Sequence, residues 1–198
     1  DINLNNISLH IYQGEALGII GEPGSSKTLI GRILSGAVKP DKGKVICSDN
    51  LYYGDIEDKY VNHQTVQSYI NDVVQLFPYQ VSEHKAEQII QWAHLGNQLQ
   101  HKISSLSNNE YAQLLLSIVR TSQSAIIVLN HVLTYLDNTF FKRAIELSND
   151  YIKENKTLVL IDDDIDKISE TSNYITWVSH GQIRKEGSLN LSLIHISD

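Results

Sequence analysis

Apolar residues in this chain gather into short continuous runs, separated by stretches where they recur at helical spacing. Residues 16–20 and 125–129 are such runs, and 157–161 and 174–178 join them with one threonine each, Thr157 and Thr176. Runs of this length without polar alternation predict strands buried on both faces. After the first run, Leu29, Ile30, Ile33 and Leu34 follow the period of a helix over 27–34. Further helical stretches are predicted near 138–154 and 164–171. Strands alternating with helices imply an α/β fold around a mostly parallel sheet covered on both faces.

Between these elements the pattern is weaker. Ile7, Leu9 and Ile11 alternate before a turn at Gln13-Gly14-Glu15, which predicts a strand pair leading into residues 16–20. Turn residues at 39–43 precede a short strand over 44–47, with Cys47 as a small strand residue. Residues 48–64 are polar, acidic and tyrosine-rich, and no element is assigned to them. From about 64 to 120 the spacing is helical, with Ser82 as an N-cap, Ile89, Ile90 and Ala93 on one face, and Gly96 as a C-terminal stop. That block reads as a helical subdomain inserted into a single domain over 1–190.

Composition narrows the function classes. Hydrophobic residues make up 41% and charged residues 20% of 198, and no apolar stretch is long enough to span a bilayer, so a soluble chain is expected. A formal net charge of −7 without a local Lys/Arg cluster argues against nucleic acid as a partner. One cysteine excludes an internal disulfide and any multi-cysteine metal site, as in a reducing cytosol. The chain has no methionine and opens at Asp1, so it reads as a fragment. Residues 191–198 read as an in-frame translation of a sequencing-library adapter, and are expected to be a non-native tail.

Candidate chemistry begins where the first strand ends. Gly21, Glu22, Pro23, Gly24, Ser25, Ser26, Lys27 and Thr28 fit a phosphate-binding loop, G-x-x-x-x-G-K-[ST], except that Ser26 replaces its second glycine. In such a loop backbone N–H groups cradle phosphates, the lysine reaches the outer phosphate oxygens, and the hydroxyl of Thr28 is offered to a magnesium ion. A side chain at Ser26 crowds the approach of backbone to phosphate, so weakened affinity is expected. A parallel sheet places ligands outside the carboxyl ends of its strands, and residues 130–131 and 162–164 also follow strand ends. Three strand ends therefore converge on one candidate site.

Several segments together resemble the nucleotide-binding domain of ABC transporters. Leu106, Ser107, Asn108, Asn109 and Glu110 stand in place of the L-S-G-G-[QE] signature. Counting on without a gap, 125–129 followed by Asn130 and His131 takes the place of the Walker B strand ending in Asp-Glu, and Leu136-Asp137 that of the D-loop. Ile161, Asp162, Asp163 and Asp164 replace the switch pattern apolar-Ser-His-Asp, and Gly181-Gln182-Ile183 fits the closing hairpin. The likeness runs from about residue 2 to residue 187. Around Lys156-Thr157, Trp177 and 181–187 it is finest toward the ATP-binding subunits of teichoic-acid and related cell-surface polysaccharide exporters. No family-type glutamine of the Q-loop is recognisable over 48–62, and the family's adenine-stacking aromatic would precede Asp1.

The resemblance implies a P-loop NTPase fold of ABC type with antiparallel β strands and a helical subdomain. It further implies ATP and Mg2+ as cofactors, a membrane permease subunit and a second ABC-type subunit as partners, and a cytoplasmic place at the inner face of the membrane. It also assigns roles that the residues fill poorly. Asn130 stands where an aspartate supports magnesium, and an amide brings no charge. His131 stands where a glutamate activates water, and losing a positioned base costs roughly 10²–10⁴ in rate. Asp163 stands where a histidine contacts the γ-phosphate, which a carboxylate repels. Asn108 and Asn109 replace glycines that face the partner subunit's nucleotide. No catalytic residue is assigned. Asp162, Asp163, Asp164 and Asp166 together are expected to form a hydrated acidic turn rather than a cation site. Three functions stay open: a transporter subunit with weak or absent ATP hydrolysis, a pseudo-ATPase scaffold that binds no nucleotide, and a P-loop enzyme outside transport.

Overall fold

The computed structural model describes residues 3–47, 49–77 and 83–189. Five buried residues, Ala16–Ile20, form β1, and the chain passes from it through a loop into helix α1, Lys27–Leu34. Strand β2, Leu51–Asp55, is followed by helices α2 (Val66–Gln75), α3 (Glu83–Ala93) and α4 (Asn108–Ser122). The remainder alternates: β3 (Ile126–Asn130), α5 (Asn138–Lys153), β4 (Thr157–Ile161), α6 (Ile165–Thr171), β5 (Tyr174–Ser179) and β6 (Gln182–Ser188). The six strands make one sheet in the order β2-β3-β4-β1-β5-β6. All neighbours run parallel except β5 and β6, which form an antiparallel hairpin.

Residue parity divides the core. Leu17, Ile19, Val128, Val159 and Ile161 point to the face covered by α1 through Ile30. Ile20, Ile127, Leu129, Leu158 and Leu160 point to the other face, which Leu114, Phe140, Ala144 and Ile168 from α4, α5 and α6 cover. Close approach depends on two glycines: a Cβ on Gly18 would meet Ile168 of α6 at 2.4 Å, and one on Gly31 would meet Ile161 at 2.7 Å. The strands at 126–130, 157–161 and 174–179 and the helices at 27–34, 138–153 and 165–171 follow the sequence reading within a residue or two. Among the described residues no helix is long and apolar enough to cross a membrane.

Three expectations are corrected. Residues 7–11 form no strand; Leu9 and Ile11 pack half-buried beside the α1-side core, but among the described residues the alternation has no neighbouring strand to pair with. Residues 44–47 also form no strand and lie exposed, Cys47 included. The unassigned stretch instead holds β2, whose tyrosines and glycine hid its identity until β3 lay alongside. Third, α3 ends at Ala93 with His94 in the left-handed region (φ 57°) and Leu95 N–H donating to Ile90 O at 3.2 Å. His94, not Gly96, thus closes the helix. Ser82 and residues 191–198 lie outside the described residues.

Candidate nucleotide site

Strand β1 delivers the loop 21–26 to the carboxyl edge of the sheet. Gly21 is required there, since a Cβ would meet Val178 O at 2.2 Å and Ser25 Oγ at 2.6 Å. Gly24 turns the loop at φ +83°. The hairpin behind β5 buttresses it: Gly181 N–H donates to Ser25 O at 3.1 Å, and Ser179 Oγ donates to Glu22 Oε1 at 2.9 Å. Glu22 and Pro23 are exposed, whereas Ser25 and Ser26 are buried. Ser26 adopts φ 74°, ψ 11° without a side-chain cap bond. That left-handed geometry explains the motif's glycine, because an L side chain in it is strained by about 1–2 kcal/mol.

Lys27 and Thr28 open α1 as the motif requires, yet both are already engaged. Lys27 has only 3% of its side chain exposed; its ammonium forms an ion pair with Asp163 Oδ1 and donates to Glu22 O at 3.3 Å. Thr28 Oγ1 lies 3.2 Å from His131 Nε2, and His131 Nδ1 lies 3.8 Å from Asp163 Oδ2. Lys27, Asp163, His131 and Thr28 thus close a ring across the ends of β1, β3 and β4. His131 reaches into it from a left-handed backbone (φ 54°), anchored by its N–H donating to Ile161 O at 2.8 Å. Strain of this kind at a non-glycine residue collects at functional sites.

The acidic turn is not simply hydrated. Asp162 is fully buried and accepts from the N–H groups of Asp163 (2.8 Å), Asp164 (3.1 Å) and Thr134 (3.1 Å). Burial pushes its carboxyl pKa upward, against the pull of those donors. Asp164 caps α6 by accepting from Lys167 N–H at 3.0 Å. Lys167 Nζ in turn donates to Leu133 O and Leu136 O, and Asp137 caps α5 through Phe140 N–H. Each of these carboxylates therefore orders backbone, which the charge pattern alone did not disclose.

At the neighbouring strand end, Asn130 is fully buried and in register with Asp55 of β2. Its Nδ2 donates to Asp55 Oδ2 at 3.1 Å and to Tyr53 Oη at 3.3 Å. Tyr53 donates to Asp55 Oδ2 at 2.6 Å, and Arg32 Nε of α1 stands 3.5 Å from the same oxygen. Burial, then the bond to Asp55, pushes the Tyr53 phenol pKa well up. Two buried polar atoms in the site, Ser25 Oγ and Asn130 Oδ1, have no partner. The sequence reading missed Tyr53, Asp55 and Arg32. A carboxylate ending a tyrosine-rich stretch was the only sign of them.

The signature segment is bound up within its own chain. Leu106 is buried, and its carbonyl accepts from Lys59 Nζ at 2.8 Å. Ser107 caps α4 in a reciprocal box: its Oγ accepts from Glu110 N–H at 3.1 Å while Glu110 Oε2 accepts from Ser107 N–H at 2.8 Å. Asn108 Oδ1 accepts from Tyr60 Oη at 3.3 Å, and Asn109 Nδ2 donates to Tyr135 O at 2.9 Å. Among the described residues none of these bonds reaches the loop 21–28. Nor do three or more His, Cys, Asp or Glu side chains gather in a metal-binding group.

This geometry agrees with comparisons to known proteins. Teichoic acids export ATP-binding protein TagH of Listeria monocytogenes serotype 4b is 27% identical over 93% of this chain and 56% of that protein. The protein of the same name from Shouchella clausii is 24% identical over 94% of this chain and 52% of that protein. The chain thus spans about half the length of the curated relatives it matches. Among solved structures, the ATP-binding cassette MJ0796, in a dimeric post-hydrolysis state bound to ADP and Pi, superimposes with a TM-score of 0.79 at 19% identity. That match covers 94% of this chain and 90% of the cassette. The ABC transporter family pattern matches residues 4–133, and with the loop, β3 and the signature in the order and places described, the chain belongs to the ABC transporter family.

Proposed function

We propose that this chain is the ATP-binding part of an exporter of teichoic acid or a related cell-surface polysaccharide. It works on the cytoplasmic side of the membrane, with a permease subunit and a second ABC-type subunit. It holds ATP weakly and hydrolyses it slowly or not at all. The relatives' printed names support the substrate class. The single observation that carries the weakened chemistry is the ring in which Asp163 takes the ammonium of Lys27 and His131 takes the hydroxyl of Thr28.

The residues fit a phosphate with its magnesium in kind. Lys27 and Thr28 stand at the start of α1, and the orphaned Ser25 Oγ and Asn130 Oδ1 are buried polar atoms, each costing about 1–3 kcal/mol if never satisfied. When bound, magnesium would neutralise phosphate charge. Lys27 would hold the outer oxygens, Thr28 would turn its hydroxyl from His131 to the cation, and Asn130 would accept from the cation's water shell. Asp163, as placed, opposes all of this, since a phosphate must displace a carboxylate from Lys27.

Titration of the full-length protein with ATP and Mg2+ by calorimetry, paired with a phosphate-release assay and Lys27→Ala as control, tests the reading. Binding that is lost in Lys27→Ala, with turnover far below that of active transporters, supports it. Turnover typical of active transporters, abolished by Lys27→Ala, overturns the weak-hydrolysis reading. The scaffold reading is favoured by the same ion pair, since Lys27 already has its anion. Absence of any ATP binding would decide for it.

A further inference from the structure

The acid missing from the end of β3 stands one strand away. Asn130 and Asp55 are register partners at the carboxyl ends of adjacent parallel strands, 0% and 1% exposed. Asp55 is held from every side: Oδ1 accepts from Glu57 N–H at 3.0 Å, and Oδ2 meets Tyr53 Oη, Asn130 Nδ2 and Arg32 Nε. Since a carboxylate can only accept, the Asn130 amide must present its NH2 to Asp55. Its carbonyl oxygen is thereby turned away, and that is the buried atom left without a partner.

The direction of that oxygen follows from the packing. Asn130 shares its parity with Val128, which lies on the face of the sheet that α1 covers. On α1, Gly31 sits over Tyr53 and Val128, Arg32 reaches Asp55, and Thr28 lies one turn toward the helix start beside His131. The Asn130 amide therefore lies on the face that α1 covers, with its free oxygen on the side away from Asp55.

We propose that Asp55 is a positioning residue for the cation of the nucleotide site. Its carboxylate locks the Asn130 amide with the oxygen toward the site, and supplies through that amide the negative charge that position 130 lacks. The inference rests on the nucleotide-binding reading above. Polarised by a hydrogen bond to an anion, Asn130 Oδ1 becomes a stronger acceptor for a cation-bound water than an amide alone. The asparagine at the end of β3 is thus half of a divided acid.

The test measures ATP affinity of the full-length protein with Mg2+ and with EDTA, and takes the ratio as the magnesium gain. In Asp55→Asn the magnesium gain should fall about tenfold, the low end of what losing an outer-shell hydrogen bond to a metal site costs, with any loss of affinity in EDTA much smaller. The exchange Asp55→Asn with Asn130→Asp, which keeps the same atoms and moves the charge by one strand, should restore the gain to the native level or above. Equal losses with and without Mg2+ would mark Asp55 as merely structural and overturn the proposal, as would a native gain in Asp55→Asn. Should Asp55→Asn alone not fold, the exchanged pair still decides, and loss of the magnesium gain in it overturns the proposal. No ATP binding by the native protein in either condition would instead overturn the nucleotide reading, and this inference with it.

Discussion

Replacing Asp163 should loosen the empty protein and tighten its hold on nucleotide at once. Lys27 is 3% exposed and Asp163 41%, so the ion pair is half in solvent. A fully buried pair broken at one end costs about 3–5 kcal/mol, and an exposed pair about 0.2–1 kcal/mol. With Glu22 O still within 3.3 Å of the ammonium, Asp163→Asn should cost about 1–2 kcal/mol, between those limits. For a domain of this size that lowers the melting temperature by roughly 2–8 °C. Toward ATP the sign reverses. A unit negative charge about 4 Å from a phosphate charge repels it by ~1 kcal/mol in water and ~4 kcal/mol at a partly buried site. The exposure of Asp163 favours the lower end, about 1–2 kcal/mol, or roughly a five- to thirtyfold gain in affinity. Thermal melts of the native and Asp163→Asn proteins without nucleotide, with calorimetric titration of ATP and Mg2+, read both quantities. Unchanged or weaker ATP binding in Asp163→Asn would refute the argument that this carboxylate occupies the phosphate's place.

Three further outcomes follow from particular residues. Ser26→Gly should raise stability by up to about 1 kcal/mol, the relief of left-handed strain less the entropy of a glycine, while Ser26→Ala should not; denaturant melts of both variants compare them. Ser107→Ala should cost about 1 kcal/mol by opening the capping box, and leave ATP affinity of the monomer unchanged, as melts and calorimetry can check. Asp162 has a folded pKa raised by burial, so the folded state keeps its proton to higher pH than the unfolded chain. The stability of the native protein relative to Asp162→Asn should therefore be most favourable below the ordinary carboxylate pKa of 3.8 and decline as pH rises above it, as urea melts across that range measure.

Residues 16–20, 125–129 and 157–161 were legible as strands from the sequence because a largely apolar run of five residues fits a strand buried on both faces and is too short for a buried helix. Helix α1 was legible from its spacing, and the loop before it from the lysine and threonine that a phosphate needs. The sequence also placed Asn130, His131 and Asp163 at strand ends. Strand β2 was not legible, because Leu51–Asp55 carries two tyrosines, a glycine and an aspartate and becomes a strand only through its ladder with β3. Residues 7–11 and 44–47 had strand-like patterns but found no partner, which local alternation cannot reveal.

What those strand-end residues do to one another was decided by tertiary structure alone. Lys27 and Asp163 are distant in the chain, and only the pairing of β1 with β4 sets a carboxylate on the ammonium. Only the pairing of β2 with β3 sets the Asp55 carboxylate against the Asn130 amide. The reason is physical. Burial and secondary structure follow from local hydrophobic pattern, whereas the electrostatics of a site depend on which charges stand within a few ångströms, and sheet order sets that.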